Sequence, residues 1–399
     1  MPAAPELLDT ESAVHTLMEL LSVEGVTGQE AAIAARTAEM LRAVGVPGDA
    51  IRYDDANTRI PLPTQTGNLI VQMPGTRSGP RLLFSTHLDT VPLAAGAVPI
   101  RSGNKIRPQG ATALGGDNRT GVACLVTLVA TLLRHRLPHP PLTLLFTVRE
   151  ESGLFGARYL DSKALGKVQM GFNVDGKKAD ELTIAAVGAE RWEAEIIGKA
   201  AHAGVHPEQG ISATLVAALA LASVRRQGYF GKIAQQGKEG TSNVGSLGGK
   251  DGKAAGDATN VVTDYVRLTG EARSHDSKFV KQIVSVYKSA FLEAAGEVLD
   301  DKGKKAKVKF TSRLDYHPFR LEEDAPVVLQ ARKAAQTIGL QANLRISNGG
   351  LDANWLVKHG IPTITFGAGQ NQIHTIDEFV QVPDYLQGCR LALALATLD

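Results

Sequence analysis

Six residues of types that bind metal ions or transfer protons lie in short motifs that end or follow apolar runs: His87, Asp117, Glu150, Glu151, Asp175 and His374. Two histidines and four carboxylates are enough to hold a pair of divalent metal ions and to leave one carboxylate free. A bound metal pair that activates water carries out hydrolysis. These residue types therefore predict a hydrolytic site with two metal ions.

The first motif follows an almost entirely apolar run at residues 81–86, which is typical of a strand buried on both faces of a sheet. His87 and Asp89 come at the carboxyl end of that strand, where α/β sheets place their sites. A neutral imidazole can bind a metal while a nearby carboxylate orients the ring. The motif predicts His87 as a ligand and Asp89 as its orienting partner. Taken alone, it is better explained by a strand-end histidine beside an unrelated aspartate.

Asp117 follows two glycines and precedes an apolar run that predicts a buried helix. Glycines let the backbone pass close to a metal or substrate. A carboxylate that bridges two ions about 3.5–4 Å apart is the usual device of a two-metal hydrolytic site. Asp117 is therefore the candidate bridge, and its alternative role is the N-cap of the helix.

Glu150 and Glu151 end another apolar run, at residues 142–148. Adjacent carboxylates repel each other unless a cation or a proton resolves the repulsion. The pair fits two roles, with Glu151 on a metal and Glu150 as the general base for water. A solvated acidic turn is the alternative.

Asp175 and His374 complete the set, each at or just after the end of a strand-like run. The first candidate ligands recur at intervals of 24 to 34 residues, but 199 residues separate Asp175 from His374. This long gap predicts that a second domain is inserted between them.

These motifs, in this order, resemble the M20 metallopeptidases. The resemblance rests on His87-Leu-Asp89, Gly116-Asp117-Asn118, Glu150-Glu151-Ser-Gly, Asp175, His202 within Gly-Lys-Ala-Ala-His-Ala-Gly, and His374. It is strongest with the peptidase T branch, on the stretches 202–213, 348–354 and 374–379, and it covers nearly the whole chain.

The resemblance implies a co-catalytic pair of zinc ions, with Co²⁺ or Mn²⁺ as alternatives. One ion would take His87 and Asp175, the other Glu151 and His374, and Asp117 would bridge them.

Glu150 would then be the general base and Asp89 would orient the His87 ring. Many relatives have an aspartate where this chain has Asn118, which still offers an oxygen acceptor. The resemblance also implies a cis peptide between Asp117 and Asn118.

Three further residues are expected to contact the substrate. The resemblance implies that His202 steadies the developing oxyanion, where a positioned donor can contribute about 2.7–4 kcal/mol. It also implies that Asn260 and Arg273 hold the substrate carboxylate, because the arginine fork pairs bidentately with such a group. A surface salt bridge is the alternative for Arg273.

The composition of the whole chain limits the partners and the location that can be expected for it. The chain has 399 residues, 43 Lys plus Arg against 41 Asp plus Glu, a net charge of +2 and two cysteines. This balance gives no reason to expect nucleic acid or a membrane surface as a partner. Two cysteines in apolar stretches argue against a disulfide framework, and no apolar window reaches the length of a membrane helix. We therefore expect a cytoplasmic protein.

Apolar strands that alternate with helices predict an α/β fold, with a mostly parallel sheet flanked by helices. The resemblance implies that this fold is of the zinc exopeptidase type. From about residue 188 the strands alternate polar and apolar residues, and the order βαββαβ predicts a ferredoxin-like α+β domain. The expected catalytic domain is 1–187 plus 316–399. The expected inserted lid and dimerisation domain is 188–315, and the resemblance implies a homodimer through it.

The resemblance thus implies a zinc-dependent exopeptidase that hydrolyses short peptides in the manner of an aminotripeptidase. An M20 carboxypeptidase or N-acyl-amino-acid amidohydrolase is the alternative within the enzymes, because the same metal residues serve those relatives. A non-catalytic peptide-binding protein is the alternative from another class. This alternative is disfavoured, because a protein without catalysis has no physical reason to keep adjacent glutamates at a buried strand end.

Overall fold

A computed structural model describes residues 4–235, 237–256 and 258–398. Its strands, in chain order, are β1 (Ile51–Tyr53), β2 (Leu69–Met73), β3 (Arg81–His87), β4 (Pro99–Ser102), β5 (Lys105–Pro108), β6 (Leu142–Thr147), β7 (Val168–Val174), β8 (Glu181–Ala186), β9 (Gly188–Ile197), β10 (Gly231–Gln235), β11 (Lys238–Gly248), β12 (Tyr265–Ser274), β13 (Lys307–Tyr316), β14 (Phe319–Arg320), β15 (Asn343–Ser347), β16 (Thr363–Phe366), β17 (Gln370–Asn371) and β18 (Phe379–Gln381). Its α-helices are α1 (Thr10–Leu21), α2 (Ala31–Ala43), α3 (Ala56–Arg59), α4 (Gly116–His135), α5 (Phe155–Arg158), α6 (Ala213–Arg226), α7 (Ser277–Glu297), α8 (Pro326–Thr337), α9 (Asp352–Lys358) and α10 (Val382–Thr397).

The described chain forms two compact units, 1–186 with 319–399, and 187–318. The second unit is therefore an insertion in the chain of the first. The expected limits of the insertion were 188 and 315.

The first unit is built on a nine-stranded sheet with the path β1-β2-β6-β3-β7-β16-β8-β14, to which β15 adds beside β8. The four central strands β6, β3, β7 and β16 are parallel, and antiparallel pairings join β1, β2 and β14 at the flanks. The predicted mostly parallel sheet is confirmed at its centre. Parallel strands begin and end together, so the carboxyl ends of β3, β6 and β7 meet at one edge.

Both faces of this sheet are buried, which explains the apolar runs. Leu82 and Phe84 of β3 pack into the main apolar core, whereas Leu83 packs into a smaller core on the opposite face. Alternate residues of a strand point to opposite faces, so a strand covered on both sides has to be apolar throughout. The apolar helix α4 is likewise buried along its length, through residue 132.

A separate four-stranded sheet, β17-β18-β5-β4, lies in the same unit and was not expected from the sequence. Its strands are only two to four residues long, too short for a periodic pattern to show. Val380 of β18 pairs with Ile106 of β5. This pairing ties the segment after His374 to the hairpin that precedes the Asp117 loop.

The second unit is an antiparallel sheet in the order β10-β11-β12-β9-β13. Helices α6 and α7 share an apolar core with it around Trp192, Tyr287 and Phe291. Strands β11, β12, β9 and β13 with the two helices make up the predicted ferredoxin-like pattern, and β13 is an edge strand, which suits its alternating lysines.

Two details of the second unit differ from expectation. Strand β10 was not predicted, and β12 begins at Tyr265 rather than near residue 259. Val261 and Val262 bond instead to the loop after β9, where Val261 bridges to His202.

Among the described residues, no helix is both long and apolar enough to cross a bilayer. Cys124 and Cys389 are both buried as free thiols.

Candidate active site

His87 is the last residue of β3, and both nitrogens of its ring face oxygen atoms. Nδ1 lies 2.9 Å from the backbone oxygen of Asp89 and 3.4 Å from the Asp89 carboxylate. Because those oxygens only accept, Nδ1 carries the proton and donates it. Nε2 lies 3.1 Å from Oδ1 of Asp117 and 3.9 Å from Oδ1 of Asp175. A cation between these groups would take the place of the proton on Nε2.

The two carboxylate oxygens of Asp117 face two different histidines. Oδ1 lies 3.1 Å from Nε2 of His87, and Oδ2 lies 3.2 Å from Nε2 of His374. A carboxylate that presents one oxygen to each of two nitrogen donors has the arrangement required of a bridging ligand. Asp117 is not the N-cap of the regular part of α4, because Asp117 and Asn118 both have non-helical backbone angles and it is Oδ1 of Asn118 that accepts from the Gly121 amide three residues on.

Glu151 completes the group on the His374 side. Its Oε1 lies 3.0 Å from Nε2 of His374. Donor atoms of His87, Asp117 and Glu151 all lie within 4.8 Å of one another. The fold therefore brings together the five predicted ligands, although His374 lies 199 residues beyond Asp175 along the chain.

Asp89 is fully buried and holds two functional segments at once. Besides accepting from the His87 ring, its Oδ1 accepts from the Glu150 amide at 3.0 Å, and its Oδ2 accepts from the Glu151 amide at 3.2 Å. The predicted orienting partner of His87 thus also fixes the turn that carries the two glutamates.

Burial and mutual repulsion dominate the acid–base properties of the site. Burial, together with the charges of Asp175, Asp352 and Glu151, raises the pKa of Glu150 well above its ordinary value. Burial likewise raises the pKa of Glu151 to about 7, although the hydrogen bond from His374 opposes the shift. A carboxyl with a raised pKa is suited to accept a proton and to give it up again near neutrality.

For Asp117 and His374, in contrast, the surroundings favour the charged forms, and the two residues form an ion pair. Burial opposes ionisation of Asp117, but hydrogen bonds from His374 and His87 outweigh it and hold the pKa of Asp117 below its usual range. The bonds to Asp117 and Glu151 raise the pKa of His374 to about 10.

The donor set fits a pair of divalent cations. Imidazole nitrogens with carboxylate oxygens are the ligands that zinc takes in catalytic sites. Asp117, Glu151 and Asp175 bring their charges into a buried cluster next to Glu150, and such a cluster is costly unless cations neutralise it. A cation pair would also release His374 from its ion pair and make its Nε2 a ligand.

The side-chain amide of Asn118 forms hydrogen bonds to three segments around the site. Its Nδ2 donates to the backbone oxygen of Val174 at 2.7 Å, and its Oδ1 accepts from Gly121 and from Gln370. An aspartate in this place would lack the donor to Val174. The peptide between Asp117 and Asn118 is cis, as the resemblance implied.

Sequence reasoning missed Asp352, a buried carboxylate at the first turn of α9. Its Oδ2 accepts from the Thr147 hydroxyl, and its Oδ1 has no hydrogen-bond partner among the described residues. Burial raises the pKa of Asp352 to about 6. The residue lies within the 348–354 stretch that carries the family resemblance, which was its only signal in the sequence.

Glu30 and Glu378 were also missed, and both are buried. Oε1 of Glu30 accepts from the backbone amides of Gly28 at 2.7 Å and Arg149 at 3.0 Å, which fixes the residue before Glu150. Glu378 accepts backbone amides from the loop that carries Asp117. Glu30 is flanked by no other acid, whereas Glu378 follows Asp377 within the 374–379 stretch that carries the family resemblance. Only the contacts of the two residues reveal what they hold.

The three predicted substrate residues all lie in the second unit. His202 is exposed on a loop whose residue Ala203 donates to the backbone oxygen of Asn260 at 2.8 Å. Arg273 pairs with Glu271 of the same strand, with Nε 3.0 Å from Oε1. Arg273 therefore forms the salt bridge that the sequence left open as an alternative, and the substrate roles of all three residues stay predictions.

Comparison with known proteins supports the family resemblance. Residues 83–398 match the profile of peptidase family M20/M25/M40. The aminopeptidase PepT from Bacillus cereus ATCC 10987 is 32% identical with a TM-score of 0.85, and the alignment covers 98% of this chain and 99% of that one. A tripeptidase from Staphylococcus aureus subsp. aureus Mu50 is 30% identical with a TM-score of 0.88 over the same shares. YqjE of Bacillus subtilis (strain 168) is 32% identical over 390 residues, 98% of each chain.

The family match covers most of the chain, and two solved relatives of about one-third identity share its full length. The predicted resemblance to M20 peptidases of the peptidase T branch is confirmed. The chain therefore belongs to peptidase family M20/M25/M40 and is a peptidase T-like hydrolase.

Proposed function

We propose that this peptidase is a zinc-dependent exopeptidase that removes the N-terminal residue from short peptides, with tripeptides as its main substrates. The observation that carries the proposal is the arrangement of Asp117, whose two carboxylate oxygens face His87 and His374 separately. The aminopeptidase and tripeptidase names of its two solved relatives support the choice of substrate.

In this proposal His87 and Asp175 would hold one ion, Glu151 and His374 would hold the other, and Asp117 would be shared by both. When bound, a zinc pair polarises the scissile carbonyl and makes water acidic enough to react near neutral pH. Asp89 keeps the proton of His87 on Nδ1, so that Nε2 stays available to the ion.

Glu150 acts as the general base and then as the general acid. Its carboxylate takes a proton from the attacking water, whose oxygen forms the new bond to the carbonyl carbon. The carbon–nitrogen bond breaks, and Glu150 delivers the proton to the leaving amine. The raised pKa of Glu150 supports this role, because the group has to hold the proton between the two steps.

The second unit contributes His202, Asn260 and Arg273 in this proposal. His202 donates to the developing oxyanion, and Asn260 and Arg273 hold the substrate carboxylate. Arg273 would have to exchange its partner Glu271 for the substrate. A homodimer through the second unit and a cytoplasmic location are further parts of the proposal, and sedimentation velocity tests the first.

The adjacent glutamates offer a matched test of the mechanism. Glu150→Gln should bind two zinc ions per chain and lose at least about 100-fold in kcat, the usual contribution of a general base. Glu151→Gln, one residue away, should lose zinc as well as activity. Zinc content is measured by inductively coupled plasma mass spectrometry after dialysis, and hydrolysis by release of free amino acid from a tripeptide. Equal rates for Glu150→Gln and the unmodified protein would remove Glu150 from the mechanism.

A further inference from the structure

Both oxygens of the buried Glu378 carboxylate accept hydrogen bonds from the same backbone loop. Its Oε2 accepts from the amides of Leu114 at 2.8 Å and Gly115 at 2.9 Å, and its Oε1 accepts from the amide of Asp117 at 3.0 Å. The residue is 1% exposed. Hydrogen bonds to an ionised acceptor are about twice as strong as neutral ones, so this loop is firmly held.

The same residue is tied to the other side of the metal site by the chain itself. Glu378 follows His374 by four residues, and its amide donates to the backbone oxygen of Thr375 at 3.2 Å. The loop that it holds carries Asp117, whose Oδ2 lies 3.2 Å from Nε2 of His374. One side chain thus connects the segment of one predicted ligand to the segment of another.

The glycine pair before Asp117 serves this connection. Gly115 has a φ of +76°, which favours glycine. A Cβ atom on Gly116 would lie 2.8 Å from Cγ2 of Val380 and 3.2 Å from Oε1 of Glu378. The sequence suggested that these glycines admit a metal or substrate, but the neighbours of Gly116 are the Glu378 carboxylate and the strand that follows it.

We propose that Glu378 is a positioning residue for the metal site, which fixes the Asp117 carboxylate relative to His374 without binding metal itself. The inference rests on the proposed function, because it assigns Glu378 to the ligands named there. Outer partners of metal ligands commonly change metal affinity 10- to 100-fold when they are substituted.

The variant Glu378→Gln tests the proposal with little change in shape. Glutamine has a single carbonyl oxygen, so either the Leu114 and Gly115 amides or the Asp117 amide must face its NH₂ group instead of an acceptor. We expect the dissociation constant of at least one zinc ion, measured by competition with a chromophoric chelator, to rise by about 10- to 100-fold. Excess zinc should restore much of kcat, and KM for a tripeptide should change little.

Asp300→Asn is the matched control. Asp300 is also a buried carboxylate that accepts backbone amides, from Lys302 at 3.0 Å and Lys304 at 2.8 Å, but it lies in the second unit and contacts no predicted ligand. Its loss should leave both zinc dissociation constants within about twofold, whatever it does to thermal stability.

If Glu378→Gln does not fold, the variant Gly116→Ala provides a second test of the role of Glu378. It keeps the carboxylate and crowds it, so it should also weaken zinc binding. Unchanged zinc dissociation constants in the variant that folds would overturn the role of Glu378. A drop in thermal stability without a change in zinc affinity would overturn it as well, because it would make the role purely structural. Unmodified protein that binds no zinc would instead overturn the proposed function, and this inference with it.

Discussion

Glu30→Gln should remove a defined part of the pH dependence of stability in the metal-free protein. Glu30 is fully buried, its Oε2 has no hydrogen-bond partner among the described residues, and its Oε1 accepts the amides of Gly28 and Arg149. Burial, followed by the charge of Asp89, raises the pKa of Glu30 from 4.5 to about 7. In the variant, the glutamine carbonyl can accept both amides, so the loop contacts survive while the titratable group is lost.

The direction in which stability changes with pH depends on whether the folded or the unfolded protein binds the Glu30 proton more tightly. Below pH 4.5 Glu30 is protonated in both the folded and the unfolded protein, and above about pH 7 it is ionised in both. Between these values the folded protein keeps a proton that the unfolded protein has released. The stability of the unmodified protein therefore falls as the pH rises through this window. At about 1.4 kcal/mol per tenfold change in proton affinity, the total loss is roughly 3 kcal/mol by pH 8.

Differential scanning calorimetry of chelator-treated protein measures the effect. The Tm of Glu30→Gln relative to that of the unmodified protein should rise by on the order of 6 °C between pH 4.5 and pH 8. Glu323→Gln replaces an exposed carboxylate and is the matched control, with a difference that stays flat. A flat difference for Glu30→Gln as well would refute the reasoning, since it would mean that Glu30 is as easily ionised folded as unfolded.

Two further predictions concern the second unit. Gly270→Ala should lower its stability by about 1–3 kcal/mol, because the added Cβ would lie 2.2 Å from Cζ2 of Trp192 and 2.5 Å from the Asn243 backbone oxygen. Gly296→Ala, in helix α7 with no atom within 4 Å of its Cβ, should stabilise the same unit by up to about 1 kcal/mol, and thermal unfolding followed by tryptophan fluorescence compares the two. His202→Ala should lower kcat by about 100-fold or more while zinc content stays at two ions per chain, and turnover at the unmodified level would exclude the oxyanion role.

The central sheet and the ligand cluster could be predicted because both have local signals. Strands buried on both faces must be apolar along their length, and this made β3, β6 and β7 visible as runs that stop at His87, Glu150 and Asp175. The carboxyl ends of parallel strands share one edge of a sheet, so residues at those ends converge. His374 lies eight residues beyond the end of β16, after a glycine turn, so its strand-end signal was weaker than the others and the family resemblance added to it.

The residues that hold the ligands in place were not predictable in the same way. Glu30, Asp352 and Glu378 each accept at least one hydrogen bond from a backbone amide or a hydroxyl of a residue far away in the chain. Such contacts leave no spacing rule, because the partner is a backbone group that every residue possesses. The short strands β17 and β18, which connect Glu378 to its surroundings, are likewise below the length at which a periodic pattern appears.

Product analysis by mass spectrometry tests the central claim most directly. Zinc-loaded protein would be given free tripeptides, dipeptides, N-blocked peptides and N-acyl amino acids, with Glu150→Gln as the inactive reference. Our account predicts that the N-terminal residue is released from free tripeptides and that blocked substrates are spared. Cleavage of the blocked peptides or N-acyl amino acids instead would contradict it and would make the protein a carboxypeptidase or amidohydrolase built on the same metal ligands.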